Sequence, residues 1–146
     1  MKKIMLLGAL AMMLGFVGCS KDDDGFSPED IVGEWYLANE KGFYTTEDGK
    51  RENYDDSYTK ENTASLMTFF SDGTFEMTML DENYPDYEYK STGEWNIQGN
   101  ELRLTESWVV DPSYTIKTLN SSTLVLTRTG NDEDGPFEDT GTFKRK

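Results

Sequence analysis

The one thiol of the chain, Cys19, stands between an apolar run and three consecutive aspartates, Asp22–Asp24, and no histidine occurs anywhere. Without an imidazole, His-dependent nucleophilic triads, most zinc sites and the commonest general base are excluded. Carboxylate chemistry is what remains. Glycoside hydrolysis would need two acids at a defined separation, and among 28 Asp and Glu residues no pair stands out. Asp22–Asp24 and Asn131-Asp132-Glu133-Asp134-Gly135 gather hard oxygen ligands, yet neither has the spacing of an EF-hand loop or its closing bidentate Glu. Both are expected to be solvated segments. The expectation is therefore a protein that is not an enzyme, with no catalytic residue, metal site or cofactor.

A lone thiol in an exported chain calls for an explanation, and the residues upstream supply one. Lys2 and Lys3 form a short positive start, and Ile4–Val17 is almost wholly Ala, Gly, Leu, Met, Phe and Val. The run is shorter than the about 20 apolar residues needed to cross a bilayer, so residues 1–18 are expected to be a targeting segment. Its end, Phe16-Val17-Gly18-Cys19, resembles the bacterial lipobox, in which a small residue precedes a Cys that is acylated and becomes the first residue of the mature chain. Phe16 stands where Leu is usual, a relaxed form similar to those of Bacteroidetes lipoproteins. The resemblance implies that Cys19 is a lipid anchor, so that the membrane is a partner reached through acyl chains and not crossed. The next residues, Ser20-Lys21-Asp22-Asp23-Asp24-Gly25, resemble the acidic signal that carries such lipoproteins through the outer membrane to the cell surface. As clustered like charges they also make an extended tether. Residues 19–29 are expected to be this tether, on an outer-membrane lipoprotein exposed at the surface.

Removing residues 1–18 from the 146-residue chain leaves 128, enough for one domain with a modest core, here placed at 30–146. The two lysines lost with them take the formal net charge from -14 to -16. Such a surface repels nucleic acid and anionic lipid head groups, and nucleic acid is set aside as a partner. High charge can also mean disorder, but 13% aromatic residues and regular apolar alternation argue for a packed fold.

The elements that must position any site are read from that alternation. Ser27-Pro28-Glu29-Asp30 resembles a capping box with Pro at the first helical position and predicts a short helical turn. Period-two rows follow: Ile31, Gly33, Trp35 and Leu37; Phe75, Met77 and Met79; Tyr87, Tyr89, Ser91, Gly93, Trp95 and Ile97. Leu102 and Leu104, Trp108 and Val110, Tyr114 and Ile116, Leu124 and Leu126, and Phe137 and Phe143 continue it. Period two marks strands with one dry and one wet face, and a one-residue slip would bury a polar row. Turn signals at 71–73, 98–100, 111–113, 120–122 and 131–136 separate the runs. The prediction is eight or nine short strands in an antiparallel meander, with Asn39–Asn62, polar and Tyr-rich, giving the weakest strand signal. Closure into a barrel would remove its exposed edges.

Ile31-Val32-Gly33-Glu34-Trp35-Tyr36-Leu37 resembles the Gly-x-Trp opening of lipocalin and calycin barrels. The stretches 68–77, 93–105 and 114–129 are similar to the lipocalin-like domain of Bacteroidetes lipoproteins. The resemblance covers most of residues 30–130 and implies an all-β, up-and-down barrel of about eight strands. It further implies that Trp35, with Gly33, plugs the closed end and that a late basic residue, Arg128, lies across it; Arg128 shares the face of Leu124 and Leu126. Placed at the open mouth instead, Arg128 could pair with an anionic ligand.

Phe75, Met79, Tyr87, Tyr89, Trp95 and Trp108 are inward by parity and are the candidate lining for a small apolar or aromatic ligand. The alternative is that these side chains simply fill the barrel, whose interior at eight strands is just wide enough for either outcome. In that case Tyr44, Tyr54, Tyr58 and Tyr84, expected in polar loops, would engage a protein or glycan at the envelope.

Overall fold

The computed structural model describes residues 25–81, 84–105 and 113–146, with the side chains of 81 and 84–87 outside the description. Cys19, the targeting segment, Trp108 and the side chains of Tyr84 and Tyr87 thus lie outside the described residues.

The predicted helical turn is α1 (Pro28–Ile31), with Pro at its start and two acids in its first turn. The Ser27 side chain does not cap the helix N–H groups; its hydroxyl donates to the Glu29 carboxylate, while its carbonyl accepts the Asp30 N–H at 3.1 Å. Among the described residues nine strands follow: β1 (Gly33–Thr45), β2 (Arg51–Ser57), β3 (Ser65–Phe69), β4 (Thr74–Asp81), β5 (Tyr84–Gln98), β6 (Glu101–Thr105), β7 (Ser113–Leu119), β8 (Thr123–Asn131) and β9 (Pro136–Arg145). From β3 onward each strand pairs antiparallel with the next, and β9 returns to β1 from Trp35↔Arg145 to Phe43↔Glu138. Strands β1 and β3–β9 therefore close into an eight-stranded up-and-down barrel.

The ninth strand, β2, comes from the polar stretch that carried the weakest signal. The edge of β1 opposite β9 is shared: Gly33–Tyr36 pairs with β3, and Asn39–Thr45 pairs with β2. A β1–β2 hairpin consequently rises above the start of β3. Six of its seven β2 residues are exposed, so no apolar alternation marks the strand in the sequence.

Tight turns set the register. At residues 70–73, Gly73 adopts φ 87°, open to glycine without steric cost, while Asp72 Oδ1 accepts the Thr74 N–H at 2.9 Å and the Thr74 hydroxyl at 2.6 Å. Asn120 Oδ1 does the same for the N–H groups of Ser122 and Thr123, at 3.0 and 2.9 Å.

One end of the barrel is solid. Ile31, Trp35, Phe69, Phe75, Leu102 and Leu124 are the largest fully buried side chains. Phe69 meets Trp95 edge-on with centroids 5.7 Å apart and Phe75 at 6.4 Å, the geometry favoured by ring quadrupoles. The turn α1 lies over this end, with Trp35 Nε1 donating to the Ile31 carbonyl at 2.7 Å.

A cation lies across Trp35, but it is Arg145 and not Arg128. The Arg145 Cζ is 4.2 Å from the Trp35 ring centroid. Its Nη1, Nη2 and Nε donate to the carbonyls of Val32, Asp30 and Ser121 at 2.7, 2.8 and 2.8 Å. The reason is direction. Strand β9 descends toward the closed end and makes Arg145 the direct partner of Trp35, whereas β8 has climbed away from that end by Arg128. Gly33 adopts φ 134°, a conformation that L side chains rarely take, and a Cβ there would also displace the end of the Arg145 guanidinium.

Candidate functional site

The other end of the barrel holds an open cavity of about 1,110 Å³. Inward rows of β1, β3, β4, β8 and β9 build its floor from Leu37, Met67, Met77, Leu126 and Phe143, with Met79 higher on β4. The mouth lies between the β1–β2 hairpin and the β8–β9 turn, tied together where Thr45 Oγ1 donates to the Pro136 carbonyl at 2.7 Å. Within that turn Asp132 Oδ1 accepts the N–H groups of Asp134 and Gly135, both at 3.0 Å, which explains the acidic cluster there as turn chemistry.

All three methionines that follow Cys19, namely Met67, Met77 and Met79, line this one cavity. Methionine is flexible and polarizable and adapts to irregular apolar shapes. Packing at native density leaves few voids larger than a water, so a space this large marks a change of purpose along the barrel axis. Bulk is absent on the opposite wall too: Gly130 and Gly141 take inward positions on β8 and β9, the first with the Phe137 ring lying directly against it.

A polar layer sits above the apolar floor. Its members are Glu40 on β1, Tyr54 on β2, Arg128 on β8 and Asp139 on β9. Glu40 faces inward because the β1–β9 register slips between Leu37 and Asn39. This one-residue bulge at Ala38 reverses the parity of the strand, so Glu40 and Gly42 succeed Leu37 on the inner face and bring Tyr54, the partner of Gly42, over the cavity. Tyr54 Oη donates to Asp139 Oδ1 at 3.1 Å.

Burial first, then the neighbouring charges of Asp139 and Asp56, raise the pKa of Glu40 above the usual carboxylate range. Burial and the Asp139 charge push the Tyr54 phenol upward as well. Arg128 faces Asp139 across β8 and β9, with its Cζ 5.2 Å from the Phe137 centroid and 5.9 Å from that of Tyr114. Its Nε is buried and has no hydrogen-bond partner among the described residues.

Of the candidate lining residues, Met79 is on the cavity wall. Phe75 and Trp95 are not: at 1% and 9% exposure they belong to the solid end, stacked about Phe69. Inward parity was correct for both, but they lie at the wrong height, since their strand positions adjoin the closed-end turns. Tyr89 is the cross-strand partner of Met79 and is 43% exposed, outside the cavity wall. The Tyr87 side chain and Trp108 fall outside the described residues. Tyr44 and Tyr54 stand on strands and not in loops, and Tyr58 is half-buried against the core. Glu40 and Asp139 were missed as site residues, and Tyr54, expected as an outer contact for a partner, is instead over the cavity; a bulge leaves no mark in a period-two count.

The sequence model of a family described as the lipocalin-like domain matches residues 31–126. Among solved structures, the chain is similar to a lipocalin-like protein from Bacteroides uniformis ATCC 8492, at 18% identity and a TM-score of 0.46, covering 80% of this chain and 99% of that one. It is also similar to an uncharacterized protein from Bacteroides eggerthii DSM 20697, at 14% identity and a TM-score of 0.47, again covering 80% and 99%. No curated protein matches the chain.

Proposed function

The chain belongs to the lipocalin-like domain family, and from that premise we propose that it is a lipid-anchored, surface-exposed binding protein that takes a small, largely apolar ligand through the open end of its barrel. One observation carries the proposal: the cavity of about 1,110 Å³, floored by apolar side chains and open at the mouth. Ligand sites are typically concave and mostly apolar, with a few placed polar groups, and this cavity has that composition. The solid end supplies a rigid base from which the walls rise. Native mass spectrometry of the protein purified from its own cells is expected to show a retained small molecule. A protein that is always empty and copurifies with another polypeptide would favour the interaction role instead.

The anchor and the address rest on the sequence. Lys2, Lys3, the apolar run and Gly18-Cys19 occur in the order that acylation requires, and Asp22–Asp24 follow as a tether. Fatty-acid labelling is expected to vanish in Cys19→Ala, and protease added to intact cells is expected to degrade the domain. Labelling that persists in the variant would overturn the anchor, and protection from protease would overturn the surface location.

A further inference from the structure

Among the described residues three cations are half-buried, Arg128, Lys144 and Arg145; Lys144 donates to the Thr123 hydroxyl and Arg145 to three carbonyls, but Arg128 has no such partner. Arg145 spends three donors on carbonyls, whereas Arg128 makes no hydrogen bond or ion pair among the described residues, and its buried Nε is orphaned. A buried donor left without an acceptor is costly, and such groups in native structures ask for a missing partner. Among the described residues Arg128 is also the one basic side chain on the cavity wall.

We propose that Arg128 is the anion-recognition residue of the cavity, so that the ligand is a monoanionic amphiphile whose carboxylate- or sulfonate-type head docks on the guanidinium while its apolar body lies on Met67 and Met77. The inference rests on the binding role proposed above and deepens it. Three features support it. Phe137 and Tyr114 flank the guanidinium, which steadies its plane and leaves its N–H edge to donate to both oxygens of a forked oxyanion. The nearby carboxylates do not hydrogen-bond the guanidinium: Asp139, opposite Arg128 on β9, accepts the Tyr54 hydroxyl, and Glu40, buried and crowded by Asp139 and Asp56, holds its proton more readily than a free carboxyl even though the Arg128 charge pulls the other way. The apolar floor lies directly below, as Leu126 precedes Arg128 by two residues on the same inward row. The acidity of the protein as a whole does not oppose contact recognition, because at physiological salt exposed charges are screened beyond about 8 Å.

Two fluorescent probes of nearly the same ring system separate the claims: 1-anilinonaphthalene-8-sulfonate, which is anionic, and N-phenyl-1-naphthylamine, which is neutral. Both are expected to bind the purified protein, and Met77→Trp, which fills the cavity, is expected to weaken both. The sulfonate should bind about tenfold tighter than the neutral probe, in line with a charge-assisted hydrogen bond. Arg128→Gln should erase that preference while leaving the affinity for the neutral probe within about twofold. A sulfonate that binds no tighter, or an Arg128→Gln that weakens both probes equally, would overturn the anion role and leave the binding role standing. Failure of both probes to bind would remove the binding role itself and this inference with it. Displacement of the neutral probe from the unaltered protein by decanoate against decanol needs no variant; a clear advantage for decanoate supports the proposal, and none contradicts it.

Discussion

Around Trp35 the barrel is solid and around Arg128 it is hollow, although the same strands and the same alternation run through both halves. The difference lies in side-chain volume by height. Near the closed end the inward layers carry Trp35, Phe69, Phe75 and Trp95, all at 9% exposure or below. Toward the mouth the rows change to Met67, Met77 and Leu126, with glycine at 130 and 141. An eight-stranded barrel is just wide enough to be filled by large side chains or to hold a small ligand, and this chain does one in each half. Its two half-buried arginines, Arg128 and Arg145, follow the same division. Arg145 has an acceptor at each of its three nitrogens and closes the base, while the Arg128 Nε is left in need of one.

Four results would break or sharpen that contrast. The largest effect is expected at the base: Phe75→Ala should cost about 3–5 kcal/mol in urea unfolding, as for a large buried aromatic with no room to collapse. Met77→Ala on the cavity floor should cost only about 1 kcal/mol, because part of that side chain already faces open space. Equal losses would mean that the two halves are packed alike.

Next, Arg145→Met should cost about 2 kcal/mol through the lost charge-assisted hydrogen bonds and the contact with Trp35, whereas Arg128→Met should leave stability unchanged or raise it, since it removes an orphaned donor. The reverse order would place the closing role back on Arg128. Third, Gly33→Ala should destabilise the base by about 1–2 kcal/mol, through the positive φ and the displaced guanidinium.

The smallest effect is a pH dependence at the mouth. Burial raises the pKa of Glu40 in the folded protein above its ordinary value of 4.5, so the folded protein binds that proton more tightly than the unfolded chain. Stability from this group is full below 4.5 and declines as pH rises through the folded value. Glu40→Gln is therefore expected to melt higher than the unaltered protein at neutral pH and to match it in acid. A difference that persists unchanged at pH 4 would contradict the buried-carboxyl assignment.

Much of the barrel was legible because period-two rows survive in every strand with one buried face. The rows of β4, β6 and β8 and the turns at residues 70–73 and 120–122 could be placed from residue types alone. β2 could not, since a strand exposed on nearly all its residues offers no contrast between faces. Nor could the height of an inward residue: parity says that Phe75, Trp95 and Met79 point in, not which of them meets the base and which the cavity. Glu40 and Tyr54 were hidden by the bulge at Ala38, and the choice between Arg128 and Arg145 depended on strand direction.

Methyl-labelled methionine offers the most direct test, since Met67, Met77 and Met79 are the only methionines after Cys19 and all three line the cavity. In NMR spectra of the protein without residues 1–18, N-phenyl-1-naphthylamine is expected to shift all three methyl signals together and to saturate at one molecule per chain. Signals that stay in place while the probe binds, or that move without saturating, would show that the upper half of the barrel is not a ligand site.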